Sequence, residues 1–86
     1  MVVSANSFRP ALGEQVGITP GSYEGTAIVS IYNMAGTLVR TLESPGGVSV
    51  SWCGDNDAGD YVASGVYFLR IVKGENESVR EVAVIR

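Results

Sequence analysis

An all-β sandwich of two antiparallel sheets is the fold class this chain predicts, and three observations predict it. Apolar and polar residues alternate over several short runs, most cleanly at Val48-Ser49-Val50-Ser51-Trp52. That period of two marks a strand with one buried face. Between the runs stand clusters of Gly, Pro, Asn and Asp, which tolerate positive φ or bond their own backbone and so reverse the chain. No stretch carries an amphipathic helix period. About seven short strands at this spacing suit two packed sheets.

Each element follows from its residues. Asn6-Ser7-Phe8-Arg9-Pro10 is a short leading segment in which Phe8 anchors to the core and Pro10 ends any pairing. Residues 15–19 are β-like and close at the Pro20-Gly21 turn. Residues 26–32 alternate, with Ala27, Val29 and Ile31 on one face and Ile28, Ser30 and Tyr32 on the other. Asn33-Met34-Ala35-Gly36 then turns the chain into a strand over residues 38–42, with Gly36 at positive φ. Pro45-Gly46-Gly47 breaks the next connection before the run that ends in Trp52. After the Asp-rich loop, residues 65–72 place Tyr67, Leu69 and Ile71 opposite Phe68 and Arg70. Lys73-Gly74-Glu75-Asn76 turns into a closing strand over residues 78–85. This pattern places Val48, Val50, Trp52, Tyr67, Leu69 and Ile71 in one core between the sheets.

Composition narrows the function. Eighty-six residues make one domain, residues 1–86, near the lower end of what folds unaided. Met1 reads as a start placed ahead of a piece of something longer, with neither a signal peptide nor an apolar run long enough to span a bilayer. A net charge of −3, with six Lys and Arg scattered singly, leaves no basic face for nucleic acid. The chain has no His, so Ser-His-Asp and Cys-His catalysis are excluded and the commonest metal ligand is absent. Cys53 is the sole cysteine and has no flanking cation to activate it, so it reads as a small residue at a strand end. Neither an enzyme nor a bound cofactor is expected.

Three blocks of residues carry a resemblance. The first is Asn6-Ser7-Phe8-Arg9-Pro10, followed by Ile31-Tyr32-Asn33 with Gly36, Val39 and Leu42. The second runs from Trp52 through Gly54, Asp57 and Gly59 to Val62, Ser64, Gly65, Val66 and Tyr67. The third is the ending Val82-Ala83-Val84-Ile85-Arg86. In order and spacing they resemble the C-terminal immunoglobulin-like sorting domain of type IX-secreted bacterial proteins, which is related to the Ig-like domain of the flagellar hook-capping protein. Two positions depart: Cys53 stands where that family has Asp, and Ser7 where it has Pro.

The resemblance implies a C-terminal Ig-like module of a larger secreted or cell-surface protein, with an enzyme or adhesin domain upstream and passage through the periplasm. Its implied partner is the outer-membrane secretion machinery. Recognition is expected on the last hairpin, at Arg80, Val82, Val84, Ile85 and Arg86, along a sheet edge left near the end of the chain. The alternatives are an accessory domain that binds carbohydrate or protein, and a hook-capping-like assembly domain. Phe8, Pro10, Gly36, Trp52, Gly54, Asp57, Gly59, Ser64, Gly65 and Tyr67 are the structural motif.

Other residues invite sharper chemistry. Asp55, Asp57 and Asp60, with Asn56, could offer oxygens to Ca²⁺, but their order is not that of an EF-hand loop. Turn chemistry, with these side chains capping the loop backbone, accounts for them better. Asn76-Glu77-Ser78 matches a glycosylation sequon and is equally a hairpin tip. Tyr23 and Tyr61, beside loops, are the expected exposed stackers for a sugar. Glu75, Glu77, Glu81 and Arg80 read as a solvated hairpin face.

Overall fold

The alternation seen in the sequence builds two facing sheets in the computed structural model, which describes residues 2–86. Among the described residues eight strands form: β1 (Val2–Val3), β2 (Ser7–Phe8), β3 (Val16–Thr19), β4 (Thr26–Tyr32), β5 (Leu38–Pro45), β6 (Val50–Trp52), β7 (Gly65–Lys73) and β8 (Asn76–Val84). One sheet has the order β1-β3-β6 and the other β2-β8-β7-β4-β5. Among the described residues there is no α-helix, only a single 3-10 turn at Pro10–Leu12.

The inner faces are those expected. Ala27, Val29 and Ile31 of β4 and Tyr67, Leu69 and Ile71 of β7 are buried, while their sequence neighbours are half-buried or exposed. Trp52 lies between the sheets, its ring 5.6 Å from Phe8 and 5.5 Å from Tyr67, both edge-on. Such edge-to-face arrangements suit the ring quadrupoles. Both polar aromatic tips find acceptors: Trp52 Nε1 donates to the Asp55 carbonyl at 2.8 Å and the Tyr67 hydroxyl to that of Ala63 at 2.7 Å. The β4–β5 hairpin closes on Asn33, whose Oδ1 accepts from the amides of Ala35 and Thr37, with Gly36 at φ +82°. β7 and β8 pair over their whole length, from Gly65 with Val84 to Lys73 with Asn76.

Several expectations need correction. Val48 is 57% exposed, outside the core. The Pro45-Gly46-Gly47 turn runs on into Val48, whose amide bonds back to the Pro45 carbonyl, so β6 begins only at Val50. Val50 packs against the core only in part. The sheets are not wholly antiparallel, because β2 pairs with β8 in parallel, Ser7 opposite Ala83 and Phe8 opposite Val84. β1 and the 3-10 turn are additional elements, too short for any periodicity to signal. β5 continues to Pro45 and β8 starts at Asn76, since a sheet neighbour extends a strand beyond where its own pattern fades.

Candidate functional site

The closing strand is where recognition is expected, and its surroundings are specific. Val82 and Val84 point into the core and are each 1% exposed, so they hold the strand in place and present no side chain to a partner. The edge beside them is also covered. The amides of Ala83 and Ile85 donate to the carbonyls of Asn6 and Phe8, because the leading segment lies alongside the end of β8. The expected free edge near the end of the chain is therefore closed. The part of β8 without a second neighbouring strand runs from Asn76 to Val82.

The exposed members separate into two places. Arg80 is exposed, on the same face of β8 as Val82 and Val84 but beyond the covered core, and its Nη1 donates to the Val79 carbonyl. Ile85 is 38% exposed, and Arg86 beside it is tied down by its amide to Ser64 Oγ at 2.8 Å and by Nη1 to the Val62 carbonyl at 3.3 Å. The Arg86 guanidinium sits 5.8 Å from the centre of the Tyr61 ring, a cation–π distance. Arg86, Tyr61, Pro10 and Ala11 line a shallow cleft of about 280 Å³. Ser64 thus has a definite task, the docking of the last residue. Nothing local announces the Ser64–Arg86 or Tyr61–Arg86 pairs, which join residues more than 20 apart in sequence.

Of the motif residues, Phe8 and Tyr67 meet at Trp52. Phe8 packs on its ring, and Pro10 fills the space over Gly54 so closely that a Cβ there would lie 2.7 Å from Pro10 Cγ. The leading segment and the Trp-x-Gly corner are one packing unit.

The Asp-rich loop is a turn, with its roles redistributed. Asn56 caps it: Oδ1 accepts from the amides of Ala58 and Asp60 at 3.0 Å each, and its own amide bonds the Asp60 carbonyl. Asp57 reaches away to the free edge of β5 instead. Its amide donates to the Val39 carbonyl at 3.0 Å and its Oδ1 accepts the Thr41 amide at 3.2 Å, as a neighbouring strand would. Arg40 joins from the side, with Nη1 3.4 Å from Asp57 Oδ1 and Nε 3.8 Å from Asp55 Oδ1. Asp60 is exposed at the loop tip. Among the described residues no three Cys, Asp or Glu side chains gather as metal ligands do.

Two predictions arise here. Asp57→Ala should lose about 1–2 kcal/mol and speed hydrogen exchange of the Thr41 amide, whereas Asp57→Asn keeps an accepting oxygen and most of the stability. Equal loss in both variants would show that charge, and not the strand-edge bonds, matters. In the same melts, added Ca²⁺ should leave the midpoint of the native protein unchanged, and a rise of several degrees would mark a cation site.

Cys53 stands half-buried where the resembled family has Asp. Desolvation raises its thiol pKa, and the neighbouring Asp55 carboxylate raises it further, against a smaller opposing pull from Arg40. The thiolate is therefore scarce at neutral pH. Iodoacetamide should alkylate Cys53 more slowly than free cysteine at mildly alkaline pH, and a faster reaction would identify an activated thiol.

The aromatic expectations divide as well. Tyr61 is 57% exposed, with Arg86 over its ring. Tyr23 is half-buried and lies across Gly25 and Gly74, so close that a Cβ at either would meet it at 2.9 Å. It is a packing residue, not a free stacker.

The chain has clear relatives. Residues 5–77 match the family described as FlgD Ig-like domain. No curated protein sequence matches the chain. Among solved structures, it is similar to PorZ, described as an essential bacterial surface component of the type-IX secretion system of human oral-microbiomic Porphyromonas gingivalis. That likeness has a TM-score of 0.76 and 29% identity over 99% of this chain and 11% of PorZ. Dimeric latent PorU from the same bacterium aligns at a TM-score of 0.68 and 17% identity, over 98% of this chain and 9% of its own, a likeness of fold alone. The chain spans a small fraction of either protein.

Proposed function

The chain belongs to the FlgD Ig-like domain family, and on that premise we propose that it is a non-catalytic module by which a larger protein is sorted through a type IX secretion machinery to the cell surface or the medium. The observation that carries the reading is the 29% identity to PorZ over almost all of this chain and a small part of that one. A similar unit forms a small part of a surface component of that system, which supports reading this domain as a module of a larger protein. A folded tag also needs no reactive centre, in keeping with a chain that lacks His.

Of the five residues expected to carry recognition, Arg80, Ile85 and Arg86 are the accessible ones, so they carry it in this reading. Val82 and Val84 contribute by keeping that strand buried and ordered. The assembly reading, favoured by the FlgD family itself, assigns the module to building a larger structure.

Residues 2–86 fused behind a signal peptide and a fluorescent reporter decide between them in a host with type IX secretion. The expected result is reporter outside the cell, reduced by an Arg80→Ser, Arg86→Ser double variant that still folds. Reporter held in the periplasm, while an established sorting tail exports the same reporter, sinks the sorting reading. Self-association of the purified domain in that case would support assembly.

A further inference from the structure

The two outer sheet faces differ in kind. On the three-stranded sheet the outward positions are Gly17, Thr19 and Ser51, small or polar, with Thr19 Oγ1 hydrogen-bonded to Ser49, and one apolar residue, the edge Val2 beside Thr19. On the five-stranded sheet the register sets apolar residues side by side. One row across the strands reads Glu43, Ile28, Val72, Glu77, and another reads Leu38, Tyr32, Phe68, Glu81. Ile28, Tyr32, Phe68 and Val72 are all half-buried, and Val79 beyond them is 50% exposed. The row between reads Thr41, Ser30, Arg70, Val79, and the Arg70 guanidinium makes a two-pronged ion pair with Glu77, at 2.9 and 3.0 Å.

The outer faces of the central strands β4 and β7 are thus apolar at Ile28, Tyr32, Phe68 and Val72 and polar only at Ser30 and Arg70, and the flanking strands β5 and β8 carry the carboxylates. Two apolar pairs, Ile28 with Val72 and Tyr32 with Phe68, on either side of the Ser30 and Arg70 row and rimmed by carboxylates, have the anatomy of an interaction surface. The rim has a sign: three carboxylates, Glu43, Glu77 and Glu81, against the single Arg70. A second copy laid on this face would set carboxylates against carboxylates, which disfavours it. We infer that the outer face of the five-stranded sheet is a docking surface for another protein whose contact patch is apolar and flanked by Lys or Arg. This surface is distinct from Arg80, Ile85 and Arg86, and its occupant is defined whether or not the domain sorts its parent protein.

Two synthetic amphipathic helices of about 18 residues test this, sharing one Leu and Phe stripe and flanked by Lys in one and Glu in the other. Each is titrated into the ¹⁵N-labelled domain while amide shifts are followed. The Lys-flanked peptide should give saturable shifts at Ile28, Tyr32, Phe68, Val72 and Val79, and the Glu-flanked peptide none. An E43Q, E81Q double variant should weaken binding about fivefold, as two exposed pairs are lost. Phe68→Ser should abolish it while the rest of the spectrum stays native. Equal response to both peptides, shifts centred on Gly17 and Ser51, or no saturable shift would overturn the proposal. Shifts at this face that appear on concentrating the domain without peptide would also overturn it, in favour of self-association.

Discussion

Trp52→Ala is expected to unfold the domain or leave it at the edge of unfolding. Truncating a buried aromatic residue costs about 3–5 kcal/mol, and a single domain holds only about 5–15 kcal/mol in total. Here the ring touches Phe8 from β2 and Tyr67 from β7, so its loss loosens the leading segment and the five-stranded sheet together. The indole N–H is also the bond that fixes the start of the Asp-rich loop, through the Asp55 carbonyl. Trp52→Phe separates the two contributions: it keeps an aromatic core but leaves that carbonyl without its donor, at about 1–3 kcal/mol. Urea unfolding followed by circular dichroism measures both, since removing Trp52 removes the fluorescent probe. A midpoint for Trp52→Ala close to that of the native chain would contradict the packing described.

The second large effect is expected at Gly47, with Gly36 as its control. Both have positive φ, +78° and +82°, a region that costs an L side chain about 1–2 kcal/mol. Their surroundings differ completely. A Cβ on Gly36 meets nothing within 4 Å, whereas one on Gly47 would lie 1.6 Å from the Gly21 carbonyl oxygen. Backbone cannot move aside as a side-chain tip can. The loop holding Gly21 is joined to this turn by the amides of Gly21, Tyr23 and Gly46, bonded to Gly47, Gly46 and Gly25. Gly47→Ala must push the two loops apart and break some of these bonds, each worth about 1 kcal/mol. Gly36→Ala should therefore lose about 1 kcal/mol and Gly47→Ala about 3–4 kcal/mol in the same urea titration. Equal losses would mean that the loops separate freely.

Much of this architecture is legible in the chain because its signals are local. The inward faces of β4 and β7 follow from a period of two, and the Asn33 and Asp-rich turns follow from side chains that bond backbone within four residues. The buried setting of Trp52 follows from its size and its place at the end of an alternating run. Even Val48, which obeys the alternation and lies outside the core, fails for a local reason: the preceding turn carries on through it.

The candidate site is different, because its defining contacts join distant parts of the chain. Asp57 reads as a loop-capping residue until β5 is beside it, and only then does its carboxylate complete the edge of that strand. Arg86 docks on Ser64 and Tyr61, and the parallel pairing of Ser7 with Ala83 covers an edge that the pattern of β8 alone leaves open. The rim of carboxylates around Ile28, Phe68 and Val72 exists only once four strands are in register. Strand identity and inward face are encoded within a few residues, since alternation and turn chemistry act over that range. Which edge is covered, which carboxylate is used and which apolar residues share an outer face depend on how the strands are ordered across the sheets. That order comes from the combined burial of both inner faces, to which no single segment holds the key.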